Sequence, residues 1–264
     1  MKICIIGKSK RLSTLESNLA DKGFLVETYK ECEHITDEIN CDYVVLPIPS
    51  INKDGFINTN GRPIAADDLF SKIPCNTKII TCGISSEKHT TIDLNTREDF
   101  AYLNAVPTAE GAIFTALENS EISLFESNIL ITGFGRVSKL LADRLRLLCK
   151  NITVTARSQR DLSLAEAIGY NCFNLCSFKE KIYEFDLIFQ TIPSPIITKE
   201  IIEQMNKKSL IIELSSKSAG TDCSFAEFCG IKVVHAPGLP EKISPITAGN
   251  ILTKSVLSII DEYK

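Results

Sequence analysis

Gly133-Phe134-Gly135-Arg136-Val137-Ser138 follows directly on the apolar run Ile129-Leu130-Ile131-Thr132. Two glycines at this spacing, at the end of such a run, suit a particular chemistry. The first lets the chain turn sharply off a strand. The second lets the backbone approach a diphosphate, which the free N–H groups of the next helix attract. Ser138 stands where a third glycine is usual, and it is small enough to keep helix and strand close. A lone Gly-x-Gly is weak evidence. Here an amphipathic run (Val137, Leu140, Leu141, Leu145, Leu148) and a second apolar run, Ile152–Thr155, supply the dinucleotide-binding context. The bland alternative is a glycine turn without a ligand.

The second run should select the cofactor. An NAD site usually places Asp or Glu there to bind the ribose 2′-hydroxyl. This chain reads Ala156-Arg157-Ser158-Gln159-Arg160. A guanidinium and a hydroxyl suit a 2′-phosphate, so NADP is expected; the alternative is an exposed basic turn. The cofactor positions expected from these two runs are Gly133, Phe134, Gly135, Arg136, Val137, Ala156, Arg157 and Ser158. Two further run ends, Gln190-Thr191-Ile192-Pro193 and Ile211-Ile212-Glu213-Leu214-Ser215-Ser216-Lys217, should wall the same site, with Thr191, Ile192, Pro193, Leu214 and Ser215 as the cofactor positions. Hydride transfer also needs a group for the accompanying proton. Glu110 and His235 are candidates. Glu110 can equally be read as a first-turn acid serving a helix dipole, and His235 as a packed histidine.

These residues need a scaffold, and the chain alternates short β-rich runs with helical patterns. Strands are expected at Lys2–Ile6, Phe24–Glu27, Tyr43–Leu46, Lys78–Thr81, Ile129–Thr132, Ile152–Thr155, Asp186–Gln190, Leu210–Glu213 and Lys232–Val234. Most lack polar alternation, as strands buried on both faces of a parallel sheet do. Helices are expected at Leu12–Lys22, Thr108–Glu118, Val137–Leu148, Lys199–Met205 and Thr247–Tyr263. The implied fold is α/β: two Rossmann-like doubly wound parallel-sheet domains with an interdomain cleft. The glycine turn comes too late to open a single domain. Residues 1–122 are therefore expected as a substrate domain, 123–246 as the NADP domain, and 247–264 as a helix packing back on the first. Residues near Ser85, Thr108, Gly133, Thr191, Ser216 and Gly238 should line the cleft.

The 264 residues are 44% hydrophobic and 23% charged, with a net charge of −4. This is globular composition, and an acidic chain with no basic tract argues against nucleic acid as a partner. No apolar run is long enough for a membrane span, and Met1–Gly7 reads as a first core strand rather than a secretory segment. The ten cysteines occur without a C-x-x-C pair, and His34, His89 and His235 are far apart in sequence. No metal site is expected, and the cysteines read as free thiols of a reducing cytoplasm.

Asn104-Ala105-Val106-Pro107-Thr108-Ala109-Glu110-Gly111, Gly133-Phe134-Gly135-Arg136, Ser216-Lys217-Ser218-Ala219-Gly220-Thr221-Asp222, Ala236-Pro237-Gly238-Leu239-Pro240 and Thr247-Ala248-Gly249 together resemble the family of dipicolinate synthase A subunits. The order and spacing match across nearly the whole chain. A looser similarity is to D-2-hydroxyacid and alanine dehydrogenases, which share the two-domain plan. The resemblance implies NADP-linked oxidation of dihydrodipicolinate to dipicolinate in the mother cell of an endospore-forming bacterium. It also implies a flavoprotein-like partner, the B subunit of dipicolinate synthase. The candidates for holding a small dicarboxylate substrate are Lys217, Lys242, Ser85, Ser86 and Thr108, with Lys217 also counted as catalytic; Lys217 can equally be read as an ordinary loop lysine. Backbone N–H groups at a helix start near Thr108 would assist. Glu241 and Ile246 depart from the family pattern, which tends to have Gly and Lys at those places. Two alternatives remain: another NADP-linked dehydrogenase of a small 2-oxo or 2-hydroxy acid, and a non-catalytic NADP-binding subunit. Whether the chain forms a homo-oligomer is left open.

Overall fold

The computed structural model describes residues 1–31, 35, 38–59, 63–215 and 220–263. The strands, in chain order, are β1 (Lys2–Ile6), β2 (Leu25–Tyr29), β3 (Tyr43–Val45), β4 (Lys78–Thr81), β5 (Thr91–Asp93), β6 (Asn128–Thr132), β7 (Asn151–Ala156), β8 (Asn171–Asn174), β9 (Leu187–Gln190), β10 (Leu210–Glu213) and β11 (Lys232–His235). The helices are α1 (Lys10–Asp21), α2 (Ala66–Phe70), α3 (Glu98–Asn119), α4 (Arg136–Leu145), α5 (Gln159–Ala167), α6 (Phe178–Lys181), α7 (Lys199–Ile202), α8 (Cys223–Phe228), α9 (Leu239–Ile243) and α10 (Pro245–Glu262). They form two compact units, Met1–Asn104 with Ser244–Lys264, and Ala105–Ile243. One division falls inside α3 and the other just before α10.

The first unit holds a parallel sheet of order β2-β1-β3-β4-β5. Alternation along each strand sends side chains to two cores. Ile3, Ile5, Val45 and Ile80 pack with Leu12, Leu15 and Leu19 of α1 and with Leu252, Val256 and Ile259 of α10. Cys4, Ile6, Val44 and Ile79 pack on the other face with Leu69 and Phe70. Asn18 Nδ2 on α1 donates to Asn250 Oδ1 and Thr253 Oγ1 of α10 at 2.9 and 3.0 Å. Gly249 permits this approach, since a Cβ there would lie 2.4 Å from Thr14 Cβ.

The second unit holds a parallel sheet of order β11-β10-β9-β6-β7-β8. From β6 the chain winds outward through β7 and β8, then returns to build β9, β10 and β11 on the other side. The strand order therefore switches between β6 and β9, where open α/β sheets bind ligands at the carboxyl edge. Ile129, Ile131, Val154, Phe189 and Ile212 face a core with Leu141 and Leu145 of α4 and Ala109, Ala112 and Ala116 of α3. Leu130, Ile188 and Ile211 face Phe178, Ile202 and Ala226.

Two strands and one helix start differ from expectation. β5 and β8 sit at sheet edges and read Thr-Ile-Asp and Asn-Cys-Phe-Asn, so neither forms an apolar run. The helix expected from Thr108 begins at Glu98, with Glu98 and Asp99 in its first turn and Pro107 in its interior. Pro107 reads as a helix start because proline lacks an N–H, but here it only removes one bond from a helix already under way.

Candidate dinucleotide site

The turn from β6 to α4 has the shape that an anion site needs. Gly133 has φ +80°, and a Cβ there would meet Ile192 Cγ1 at 3.1 Å, so both backbone and neighbour require glycine. Its N–H donates to Thr155 Oγ1 of β7 at 3.2 Å. Gly135 is the extended N-cap of α4 and makes no side-chain cap. It is exposed, and a Cβ there would meet nothing within 4 Å. The start of α4 therefore offers its first-turn N–H groups and dipole to an outside acceptor. Arg136 and Val137 follow in that turn, both half-buried. A dinucleotide diphosphate fits this cradle.

Phe134 has only its backbone to offer. Its ring is buried, edge-on to Tyr170 at 6.2 Å between centroids. Ser138 contributes a hydroxyl that glycine would lack. Thr191 Oγ1 donates to the Thr132 carbonyl at 2.6 Å, and Ser138 Oγ lies 2.9 Å from Thr191 Oγ1. A buried chain of hydroxyls thus joins α4 to the end of β9.

At the end of β7, Ala156 is buried, while Arg157 and Ser158 are exposed. Ser158 N-caps α5: its Oγ accepts from the Asp161 N–H at 3.1 Å and donates to Asp161 Oδ2 at 2.8 Å. Its hydroxyl is thereby engaged, leaving Arg157 as the uncommitted polar side chain of the Arg-Ser pair.

After β9, Thr191 and Ile192 are half-buried and Pro193 exposed; after β10, Leu214 is half-buried and Ser215 buried. The strands themselves end on Gln190 and Glu213, both fully buried. Both lie in the strand ends expected to wall the site, but the sequence reading gives neither a role of its own, although a polar residue closing an otherwise apolar strand is an available signal. Glu213 accepts from the Ser215 N–H and hydroxyl and from the Thr221 hydroxyl. Gln190 bonds both backbone groups of Ile192.

The remaining candidates fall on several elements of the two units. Ser216 and Lys217 lie outside the described residues. Thr108 and Glu110 require a correction: they stand inside α3 rather than at its start, so the backbone N–H groups near Thr108 belong to the helix ladder. Glu110 is exposed, with Oε1 3.7 Å from Arg144 Nε. The dipole argument for it fails. His235 is exposed at the end of edge strand β11, in register with Glu213. Lys242 is exposed in α9 and Ile246 is exposed in α10. In the first unit, Ser85 is exposed. Ser86 Oγ lies 3.1 Å from His89 Nδ1, and His89 Nε2 lies 2.9 Å from the Ile73 carbonyl. Both serines line a cavity of about 700 Å³ with Asp67, Phe70 and Cys75.

Among the described residues, no group of three or more His, Cys, Asp or Glu is arranged to hold a metal, and all nine cysteines are free. Burial, reinforced by Asp93, pushes the Cys82 thiol up to about 11. No described helix is long and apolar enough to cross a membrane.

Two all-parallel α/β sheets, with a glycine turn at the switch point of the second, define a two-domain protein of the Rossmann dehydrogenase type. Residues 115–216 match the family described as Shikimate / quinate 5-dehydrogenase. Over its full length the chain is similar to the dipicolinate synthase A subunit of Bacillus subtilis strain 168, at 28% identity covering 100% of this chain and 97% of that protein. Crystal structures of the dipicolinate synthase A subunits from Bacillus halodurans and Bacillus subtilis share its fold, with TM-scores of 0.85 and 0.86. They are 26% and 27% identical, covering 98% and 99% of this chain and 97% and 96% of theirs. A transhydrogenase from Sinorhizobium meliloti shares the fold at 13% identity and a TM-score of 0.67, over 100% of this chain and 94% of that one. The family match and the likeness to the Bacillus subunits support an NAD(P)-linked dehydrogenase-type role and an oxidoreductase; the transhydrogenase shows the fold alone. The name of the Bacillus relatives implies a partner subunit for those proteins.

Proposed function

We propose that the chain is the A subunit of a dipicolinate synthase, oxidising dihydrodipicolinate to dipicolinate with NADP⁺. The observation that carries this reading is the likeness to the Bacillus dipicolinate synthase A subunits along the entire chain, with the uncapped glycine turn of α4 inside it. The nicotinamide, when bound, supplies the hydride acceptor. The substrate ring gives up a hydride and a proton and becomes aromatic, which supplies much of the driving force. The protein's main task is then to hold and orient a dicarboxylate. Lys217 leads as the counter-charge for a carboxylate, with Lys242, Thr108 and Ser85 as secondary ligands. His235 is the proton acceptor in this reading. Glu110, beside Arg144, and Ser86, beside His89, are not retained.

Arg157 carries the choice of NADP in this reading, because no acid occupies positions 156–160 and Ser158 is engaged as a cap. The first unit serves the substrate and the second the dinucleotide. A flavoprotein-like B subunit is the partner, and the cytoplasm of the mother cell is the setting. The test supplies dihydrodipicolinate and NADP⁺ to the chain alone and with that partner. Formation of an aromatic pyridine dicarboxylate together with NADPH is expected. No product from either preparation overturns the substrate assignment. Product only with the partner present favours a nucleotide-binding subunit over a self-sufficient enzyme.

A further inference from the structure

β9 and β10 are apolar until their last residues, Gln190 and Glu213, which are neighbours in register and fully buried. Burying a carboxylate is costly unless its oxygens are met by donors. Glu213 Oε1 accepts from the Ser215 N–H at 3.1 Å and from the Ser215 hydroxyl, while Oε2 accepts from the Thr221 hydroxyl at 2.7 Å. Gln190 is equally occupied. Its Nε2 donates to the Ile192 carbonyl at 2.6 Å, and its Oε1 accepts from the Ile192 N–H at 3.0 Å and from the Thr132 hydroxyl. Gly220 closes the group. A Cβ there would fall 1.7 Å from Gln190 Nε2 and 3.0 Å from Glu213 Oε2. Two side chains and one missing methyl therefore tie together the end of β6, the turn after β9, and Ser215 and Thr221 after β10.

Burial keeps these groups from touching a ligand, so they act through what they hold. The turn held by Gln190 is the one whose Ile192 lies against Gly133. A dinucleotide at this switch point places its adenosine half toward β7, the second strand, and its nicotinamide half toward β9 and β10. We propose that Glu213, Gln190 and Gly220 form a latch of positioning residues that shapes the nicotinamide half of the site and leaves the adenosine half alone. The proposal rests on the dinucleotide reading above.

The test titrates the full chain with probes that differ only in the nicotinamide: NADP⁺ against 2′-phospho-ADP-ribose, and NAD⁺ against ADP-ribose. Gly220→Ala and Gln190→Ala should each weaken the whole dinucleotide by about tenfold and change the nicotinamide-free probe by less than about threefold. The double variant should bind like Gln190→Ala alone, because the new methyl enters space that the amide has left. Should Gly220→Ala fail to fold, Glu213→Gln keeps size and shape. It should show the same selective loss at about threefold to tenfold. Equal losses for both kinds of probe, no loss in any variant, or additive losses in the double variant overturn the latch. A parent chain that binds none of the four probes overturns the dinucleotide reading and the latch with it. A parent that binds them, with variants that lose both kinds alike, overturns the latch alone.

Discussion

The chain builds the same strand–turn–helix unit at the start of each sheet, and the two turns differ at the cap. In the first, Gly7 has φ +105° and Ser9 N-caps α1, its Oγ accepting from the Leu12 N–H at 3.3 Å. In the second, Gly133 has φ +80° and the cap is Gly135, which has no side chain. The first turn is the more basic, running Gly7-Lys8-Ser9-Lys10-Arg11, and charge alone would mark it as the anion site. Backbone geometry marks the second. A helix that caps itself spends its first-turn donors internally; one capped by glycine leaves them for a ligand.

The sharpest way to break this contrast is to cap α4. Gly135→Asp gives α4 a carboxylate cap, which also repels a diphosphate. Dinucleotide affinity should fall by about a hundredfold or more, or ~2.7 kcal/mol. Stability should hold or rise slightly, because an Asp cap is worth only about a few tenths of a kcal/mol over a glycine cap. Calorimetric titration and thermal melting of the same sample read both effects. Unchanged affinity would mean that the free helix start is not where the ligand binds.

A smaller effect tests the neighbouring strand end. Arg157→Ala should cost NADP⁺ about tenfold in affinity and leave NAD⁺ unaffected, as expected for losing one charge-assisted contact to a 2′-phosphate. A parent chain that binds both cofactors equally well sinks the NADP assignment. Smaller still, Ser9→Ala should cost about 1 kcal/mol of stability through the lost cap of α1. It should not change dinucleotide affinity. A matching loss of affinity would show that the first turn takes part in binding.

How much of this is legible in the sequence follows from where each constraint lies. Lys2–Ile6, Lys78–Thr81 and Leu210–Glu213 can be read directly, because burial on both faces forces uninterrupted apolar runs. Thr91–Asp93 and Asn171–Asn174 cannot, since an edge strand tolerates polar residues. The glycine turn is legible because a positive φ and a close approach demand one residue type. The true start of α3 is hidden by Pro107-Thr108, which imitates a helix start. Gln190 and Glu213 are the harder case. What gives them meaning is Thr132, Thr221 and the space above Gly220, and those partners meet only in the folded sheet.

The smallest effect separates stability in the first unit from binding in the second. Arg97 Nη2 lies 2.6 Å from Glu262 Oε1 at the end of α10, and Nη1 donates to Glu262 Oε2 at 2.6 Å. The Arg97 guanidinium, aided by the Ser258 hydroxyl, holds the Glu262 carboxyl down at about 2, against 4.5 for an ordinary glutamate. A carboxyl whose folded value is depressed adds stability that is fully present above its unfolded value. That stability is lost as the pH falls through the folded value. The contribution of this pair should therefore be complete above about pH 5, decline between about 4.5 and 2, and vanish below. Arg97 Nη2 also lies 3.1 Å from Asp99 Oδ2, and both carboxylates are exposed, so the effect is modest and salt should weaken it. Arg97→Met should lower the melting temperature slightly at pH 7, and the gap from the parent should close as the pH approaches 2. Dinucleotide affinity at pH 7 should be the same in both proteins. A gap that stays constant down to pH 2 would remove the ion pair as its cause. A loss of dinucleotide affinity would show that the ends of α3 and α10 do more than close the first unit.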